Sequence, residues 1–197
     1  MIKIKNNSKL QKHNFACKAK NPVDFLLKFS GKNNSKRYKI ISLILGAIFF
    51  IAVLPYIFMV IGFFLKSYLT VDLNKAAEIV ISITGITTGL YFLIWATVTQ
   101  WKIGDGTPAP NAPTQHLIII GPYKYCRNPI EFGAILYYLG LGTGIGGIIV
   151  GITTCVLGFT VGTAYHKFIE EKELEARFGE EYVKYKENTP FVFPKIK

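Results

Sequence analysis

Acidic residues are scarce in this chain: twelve Asp and Glu face twenty-three Lys and Arg, for a formal net charge of +11. In a water-soluble protein that excess points to nucleic acid. Here, however, eleven of the basic residues precede Ile40, with Asp24 as the single acid among them, and they adjoin a long uncharged run. That placement is read as anionic lipid headgroups on the cytoplasmic side, with no nucleic-acid partner. Cysteine is also rare. Cys17, Cys126 and Cys155 share no metal or redox spacing, so they are expected to be reduced, unpaired and without a metal. With only three histidines there is no Ser-His-Asp arrangement, no pair of catalytic acids and no zinc-type cluster to suggest hydrolysis. The first thirty residues lack a continuous apolar core, so no signal peptide is expected.

Charge is absent altogether from three stretches, residues 40–65, 79–101 and 132–165. With 50% hydrophobic residues and a mean hydropathy of +0.31, the chain is too apolar for an ordinary soluble domain. A membrane span needs roughly 20 such residues. The third run, as one straight helix, would reach about 51 Å against a ~30 Å hydrocarbon core. It contains the glycine-rich stretch 140–147. It is read as two short spans folded as a tight hairpin, with one long tilted helix as the alternative. The fold class is therefore all-α: a polytopic integral membrane protein of about four transmembrane helices plus a C-terminal amphipathic helix on the cytoplasmic side. Basic residues support an even count, since the 66–78 loop holds two Lys offset by Asp72 and Glu78, the 102–127 segment holds three, and the tail after Tyr165 holds seven. Both termini and the 102–131 loop are placed in the cytoplasm of a multi-pass cell-membrane protein. Three regions follow: a Lys-rich arm over 1–39, two spans over 40–101, and a catalytic region over 102–197.

Local signals fill in the rest. A short interfacial helix is expected at 22–29, and Pro55 predicts a kink in the first span. The 104–113 loop, with three Pro and two Gly, cannot be helical. Asn128 before Pro129 reads as an N-cap with proline in the first helical turn. Phe168, Leu174, Phe178 and Tyr182 recur at helical spacing, predicting one amphipathic helix that continues out of the last span. The 140–147 stretch superficially resembles a nucleotide-binding loop, but no strand precedes it, so it is read as a hairpin tip or small-residue helix packing.

The polar islands between these runs carry the chemistry. They are Gly121-Pro122-Tyr123, then Arg127-Asn128-Pro129-Ile130-Glu131-Phe132-Gly133, then Glu170-Glu171 with Leu174, Phe178-Gly179 and Tyr182, and finally Pro190-Phe191-Val192-Phe193-Pro194. In that order and between spans, they resemble the isoprenylcysteine carboxyl methyltransferase family and, more distantly, the phosphatidylethanolamine N-methyltransferases. The resemblance covers residues 105–194 and suggests a minimal prokaryotic form. It implies S-adenosyl-L-methionine as methyl donor, with cofactor contacts on Gln115, His116, Leu117, Ile118, Tyr123, Asn128, Pro129, Ile130, Glu131 and Glu170. His166 stands where the family has a basic residue touching substrate, and Arg127, His166 and Glu131 are the candidate catalytic residues. Two departures stand out. Asn128 replaces the motif histidine and cannot carry charge. Glu131 replaces the motif tyrosine, and its carboxylate is free to pair with the donor or with Arg127.

The residues themselves suit such a donor. A zwitterionic amino-acid tail needs a carboxylate, for which Glu170 or Glu131 is available, and a cation with a helix N-terminus, supplied by Arg127 and Pro129. Leu117 and Tyr123 offer an apolar wall for adenine. A carboxylate acceptor needs no general base, whereas an amine or thiol does, and His166 or Glu131 is the candidate. The reaction expected is carboxyl O-methylation of a prenylated cysteine or analogue that arrives from the bilayer. The alternatives are N-methylation of a phospholipid headgroup or, from another class, a membrane scaffold or transporter subunit. Mid-span residues are mostly Ser, Thr and Gly, which argues against transport.

Overall fold

The computed structural model describes residues 35–195 apart from positions 70 and 72, together with Val23 and Leu27. Most of the Lys-rich arm, Cys17 and the expected 22–29 helix lie outside the described residues, although Val23 and Leu27 are helical. Among the described residues every regular element is helical. We number them α1 Lys36–Ile48, α2 Leu54–Lys66, α3 Lys75–Ile103, α4 Pro129–Gly146, α5 Ile148–Tyr165, α6 Glu171–Phe178 and α7 Glu180–Asn188. Two π-helical turns interrupt otherwise continuous helices, Phe49–Val53 between α1 and α2 and His166–Glu170 between α5 and α6.

Three helices are long and apolar enough to cross a membrane: Lys36–Lys66, Lys75–Ile103 and Ile148–Phe178. Only 17%, 17% and 33% of their most apolar windows are buried by the rest of the protein. Ile44, Leu45, Phe50, Ile57, Val60 and Phe64 all face outward. A surface this apolar is stable against lipid and not against water. The protein is therefore an integral membrane protein.

Pro55 does more than kink the first span. Lacking an N–H, it cannot serve the carbonyls one turn back. The Leu54 amide bonds to the Phe49 carbonyl, five residues back, so the Phe50 carbonyl is left with neither Leu54 nor Pro55 as donor. The Tyr138 hydroxyl donates to Phe50 O at 2.7 Å, and the Tyr137 hydroxyl donates to Ile51 O at 3.2 Å. Backbone that would be orphaned in the bilayer is thus satisfied from α4. The same two tyrosines form the apolar core with Phe58, bordered by Leu90, Leu93 and Ala134.

The glycine-rich stretch serves both purposes expected of it, at different points. Gly133 and Gly140 on α4 meet Gly85 and Gly89 on α3 so closely that a Cβ on Gly89 would come within 2.7 Å of Gly133 O, and one on Gly85 within 2.9 Å of Gly140 Cα. This is close backbone packing between membrane helices. The hairpin itself turns only at Gly147, whose φ of 86° is the left-handed region glycine favours. At that end Glu78 accepts from Ile148 N at 3.1 Å and Lys66 donates to Gly146 O at 2.8 Å, so each broken helix end has a charged cap. The 132–165 run is therefore two helices. The tail departs from expectation: it does not run on as one helix but breaks at Gly179, φ 55°, into α6 and α7.

Candidate functional site

At the opposite end from Gly147, the loop between α3 and α4 meets α6, α7 and the last described residues. The loop is held by its own turns and by the tail. Gly106 N bonds to Gln100 O at 3.3 Å, and Arg177 reaches the Thr114 carbonyl while pairing with Glu173 at 2.9 Å. The segment after Asn188 lies along the start of α4: Arg127 N donates to Pro190 O at 2.9 Å, Asn128 N to Phe191 O at 3.0 Å, and Lys195 N to Tyr125 O at 3.0 Å. Asn128 occupies the N-cap position expected, but its side chain does not cap the helix; Nδ2 donates instead to Phe191 O at 3.1 Å.

A small cavity of about 50 Å³ opens between these parts, lined by Gln100, Thr114, His116, Leu117, Ile118, Tyr123, Arg127, Asn128, Glu170, Leu174, Phe178, Tyr182 and Tyr185. Residues far apart in the chain meet here, and seven are ones the sequence offered as cofactor-binding or catalytic residues: His116, Leu117, Ile118, Tyr123, Arg127, Asn128 and Glu170. Buried polar atoms with incomplete partners cluster around it as well: Gln100 Oε1, Arg127 Nε, and Tyr123 Oη, which has the Gln100 amide as a polar neighbour. Buried polar groups normally find partners, so an acceptor and two donors incompletely paired in one cavity mark a place for a polar ligand. Burial, reinforced by the Glu170 charge, holds the Tyr123 hydroxyl well above its ordinary pKa, so it remains a donor.

Arg127 is anchored by Glu171 at 2.6 Å and lies over the Phe191 ring, its carbon 5.4 Å from the centroid. Lys186 holds the other oxygen of Glu171 at 2.8 Å. Arg127 therefore pairs with Glu171 and not with Glu131.

Glu131 sits beside this cavity in a second cluster. It is buried, 3.5 Å from His166 Nε2, and its Oε1 has no partner. His166 Nδ1 faces Glu170 one turn on. Both ring nitrogens thus face carboxylate oxygens, which only a ring protonated at both can serve as donor. Gly162 makes room for the cluster: a Cβ there would overlap the Glu131 carboxylate. The π-turn His166–Glu170 runs through the cluster, and such turns recur at functional sites.

The remaining sequence-predicted residues line neither cavity wall. Gln115 turns its amide to Pro113 O at 3.0 Å, Pro129 is buried in the first turn of α4, and Ile130 packs on the cluster of Ala96, Ile118 and Tyr123. Sequence reasoning missed Gln100, Thr114 and Tyr185. Gln100 sits at the end of an apolar run where its role has no local signal. Leu174, Phe178 and Tyr182 were visible as an apolar helical stripe, and that stripe faces the cavity.

No curated protein and no solved structure matches this chain. A family model described as phospholipid methyltransferase does, over residues 50–181, which takes in the second half of the first span, the second span, the motif loop, the helical hairpin and the start of the tail. With more than half of its length matched and its helices suited to a bilayer, the chain belongs to the phospholipid methyltransferase family of integral-membrane proteins.

Proposed function

We propose that this protein transfers a methyl group from S-adenosyl-L-methionine to a lipophilic acceptor that stays in the bilayer. The observation that carries the reading is the convergence of Gln100, Tyr123 and Arg127 in one cavity at one end of the helices, each with a buried polar atom whose hydrogen bonding is incomplete. These groups and their neighbours fit the donor. Arg127, with the N-terminus of α4, holds its carboxylate, Glu170 its amino group, and Leu117, Ile118 and Tyr123 flank its adenine. When bound, the donor supplies an electrophilic methyl on a sulfonium. What the chain contributes is alignment of the two ligands and exclusion of water, which is what methyl transfer chiefly needs. At about 50 Å³ the cavity is well below the ~300 Å³ of a drug-sized pocket, so α6 and α7 must part from the loop to admit the donor.

The acceptor suggested by the motif resemblance is the carboxylate of a prenylated cysteine, already ionised and needing no base. A specific observation favours a second acceptor, the amine of a phospholipid headgroup. Glu131 has an open, buried oxygen beside His166 and Glu170, an acid-rich corner that attracts an ammonium and can take its proton. Facing two carboxylates, His166 already holds both ring protons, which leaves Glu131 as the group free to accept one.

Four crossings with both termini and the 102–131 loop in the cytoplasm complete the reading. Support comes from the charge distribution, from Lys39, at the start of α1, pairing with Asp105 in the loop at 2.6 Å, and from Lys66 meeting Gly146 at the other end. Cysteines placed near Gln115 and Lys184 should label from the cytoplasmic side only. The test of function is binding of labelled S-adenosyl-L-methionine to detergent-purified protein, followed by methyl transfer to a panel of prenyl-cysteines and phospholipids. No binding would return the chain to the scaffold or transporter class.

A further inference from the structure

Among the described residues, a second cavity is larger than the one just described. It measures about 230 Å³ and is lined by Lys36, Lys39, Trp101, Asp105 and Gly106, where the start of α1 meets the end of α3 and the first turn of the loop. One side of it is a charge pair: the buried Lys39 donates to Oδ1 of the exposed Asp105 at 2.6 Å and to Asp105 O at 2.8 Å. Asp105 holds a φ of 50°, the one left-handed non-glycine residue among those described. Asp is among the few non-glycine residues that adopt this conformation readily. The charge pair cancels, and Lys36, exposed at the rim, leaves the cavity net positive. Trp101, the last residue of an uncharged run, adds the amphipathic ring that settles at a membrane interface.

We infer that this cavity is a binding site for the phosphodiester headgroup of an anionic phospholipid, separate from the cavity assigned to the methyl donor. A phosphate seated at Lys36 lies at the level where headgroups sit. Its acyl chains have a path already laid out: Ile40 and Ile44 follow Lys36 at four-residue intervals down one stripe of α1, and both are exposed, with Ile41 and Leu45 beside them. The apolar stripe is what distinguishes a lipid from free phosphate as occupant. The volume admits a headgroup and not a drug-sized molecule, whose pockets run to ~300 Å³ and above. Asp105, kept neutral in effect by Lys39, narrows the opening without reversing its sign.

The test is lipid retention by the full chain in detergent, read by native mass spectrometry with phosphatidylglycerol, phosphatidylcholine, glycerophosphoglycerol and inorganic phosphate as probes. One phosphatidylglycerol should remain bound and should outcompete phosphatidylcholine. Lys36→Gln should lower its retention about fivefold or more, while Lys184→Gln, an exposed cation of the tail, should leave it unchanged. Circular dichroism and a monodisperse elution profile for each variant establish that it is folded. Ile44→Asn should weaken phosphatidylglycerol without affecting glycerophosphoglycerol. Equal retention of the two lipids, unchanged retention in Lys36→Gln, or displacement of the lipid by glycerophosphoglycerol or inorganic phosphate at matching concentration would each overturn the assignment. None of these readouts involves the methyl donor, so their failure is distinct from failure of the methyltransferase reading.

Discussion

The Tyr138 hydroxyl donates to the Phe50 carbonyl at 2.7 Å and replaces the backbone donor that this carbonyl loses to Pro55 and the π-turn. Tyr138→Phe should therefore cost about 1–3 kcal/mol, the penalty of a buried acceptor left unmade. Tyr137→Phe, which removes a longer bond of 3.2 Å, should cost less. Unfolding in mixed detergent micelles measures both. Wild-type stability in Tyr138→Phe would mean that Phe50 O finds another donor.

Arg127 and Glu171 should respond unequally to truncation. Removing one partner of a buried ion pair costs about 3–5 kcal/mol. Glu171 without Arg127 still has the charged Lys186 at 2.8 Å, whereas Arg127 without Glu171 keeps the neutral Tyr182 and the Phe191 ring. Glu171→Ala should thus destabilise more than Arg127→Ala, while Arg127→Ala should lose more affinity for S-adenosyl-L-methionine. Thermal denaturation and equilibrium binding on the two variants separate these effects, and donor affinity unchanged in Arg127→Ala excludes that residue from the role.

Gly162→Ala should reduce methyl transfer at least tenfold by pushing the Glu131 carboxylate out of position, because the added methyl overlaps it. If Glu131 is the proton acceptor for an amine, Glu131→Gln should abolish N-methylation and leave any carboxyl methylation largely intact. Turnover on the two acceptor classes reads this directly. Full activity in Gly162→Ala would remove Glu131 from the mechanism.

Burial pushes the Cys126 thiol from 9.0 up to about 11. Its thiolate should be nearly absent at pH 8, and alkylation of the folded protein should be far slower than in the denatured chain. The shift is upward in the folded state, so its contribution to stability is full below pH 9 and declines as pH rises through 11. Maleimide labelling against pH follows the first effect. Rapid labelling of Cys126 at pH 8 would contradict the burial.

Ala164 and Phe168 are exposed beside the Glu131 cluster, on the side a membrane-held acceptor would approach. Ala164→Trp should raise the KM for such an acceptor while sparing donor affinity. Ala134 is unsuitable for the same experiment, because it packs on the Tyr137–Tyr138 core. Equal weakening of both ligands would argue against separate routes.

Much of this was legible in the residues. The uncharged runs located the spans, Pro129 marks a helix start at the position the local signal suggests, and Tyr123, Arg127 and Glu170, singled out by the motif resemblance, line one cavity. What escaped was long-range. A π-turn has no sequence signature of its own, so the bend that sets His166 against Glu131 was invisible. Gln100 looked like the end of a span, and the partner of Arg127 could be chosen among several acids only by knowing where α6 lands. Gly179 was legible as a motif residue, yet its left-handed φ, which breaks the tail in two, was not inferred.

The pairing of Arg127 and Asn128 with Pro190 and Phe191 has a consequence for how the protein is made. The motif loop leaves the ribosome some 63 residues before the carbonyl that Asn128 will bind, and Arg127 precedes Glu171 by 44. During that interval three spans can already be inserted while the loop's charges and amides have only water and headgroups for company. The proposed donor site is therefore the last part expected to assemble, because residues made after α7 hold its loop. Binding ability should appear abruptly in stalled nascent chains once Phe191 has cleared the ribosomal tunnel, with no graded approach to it.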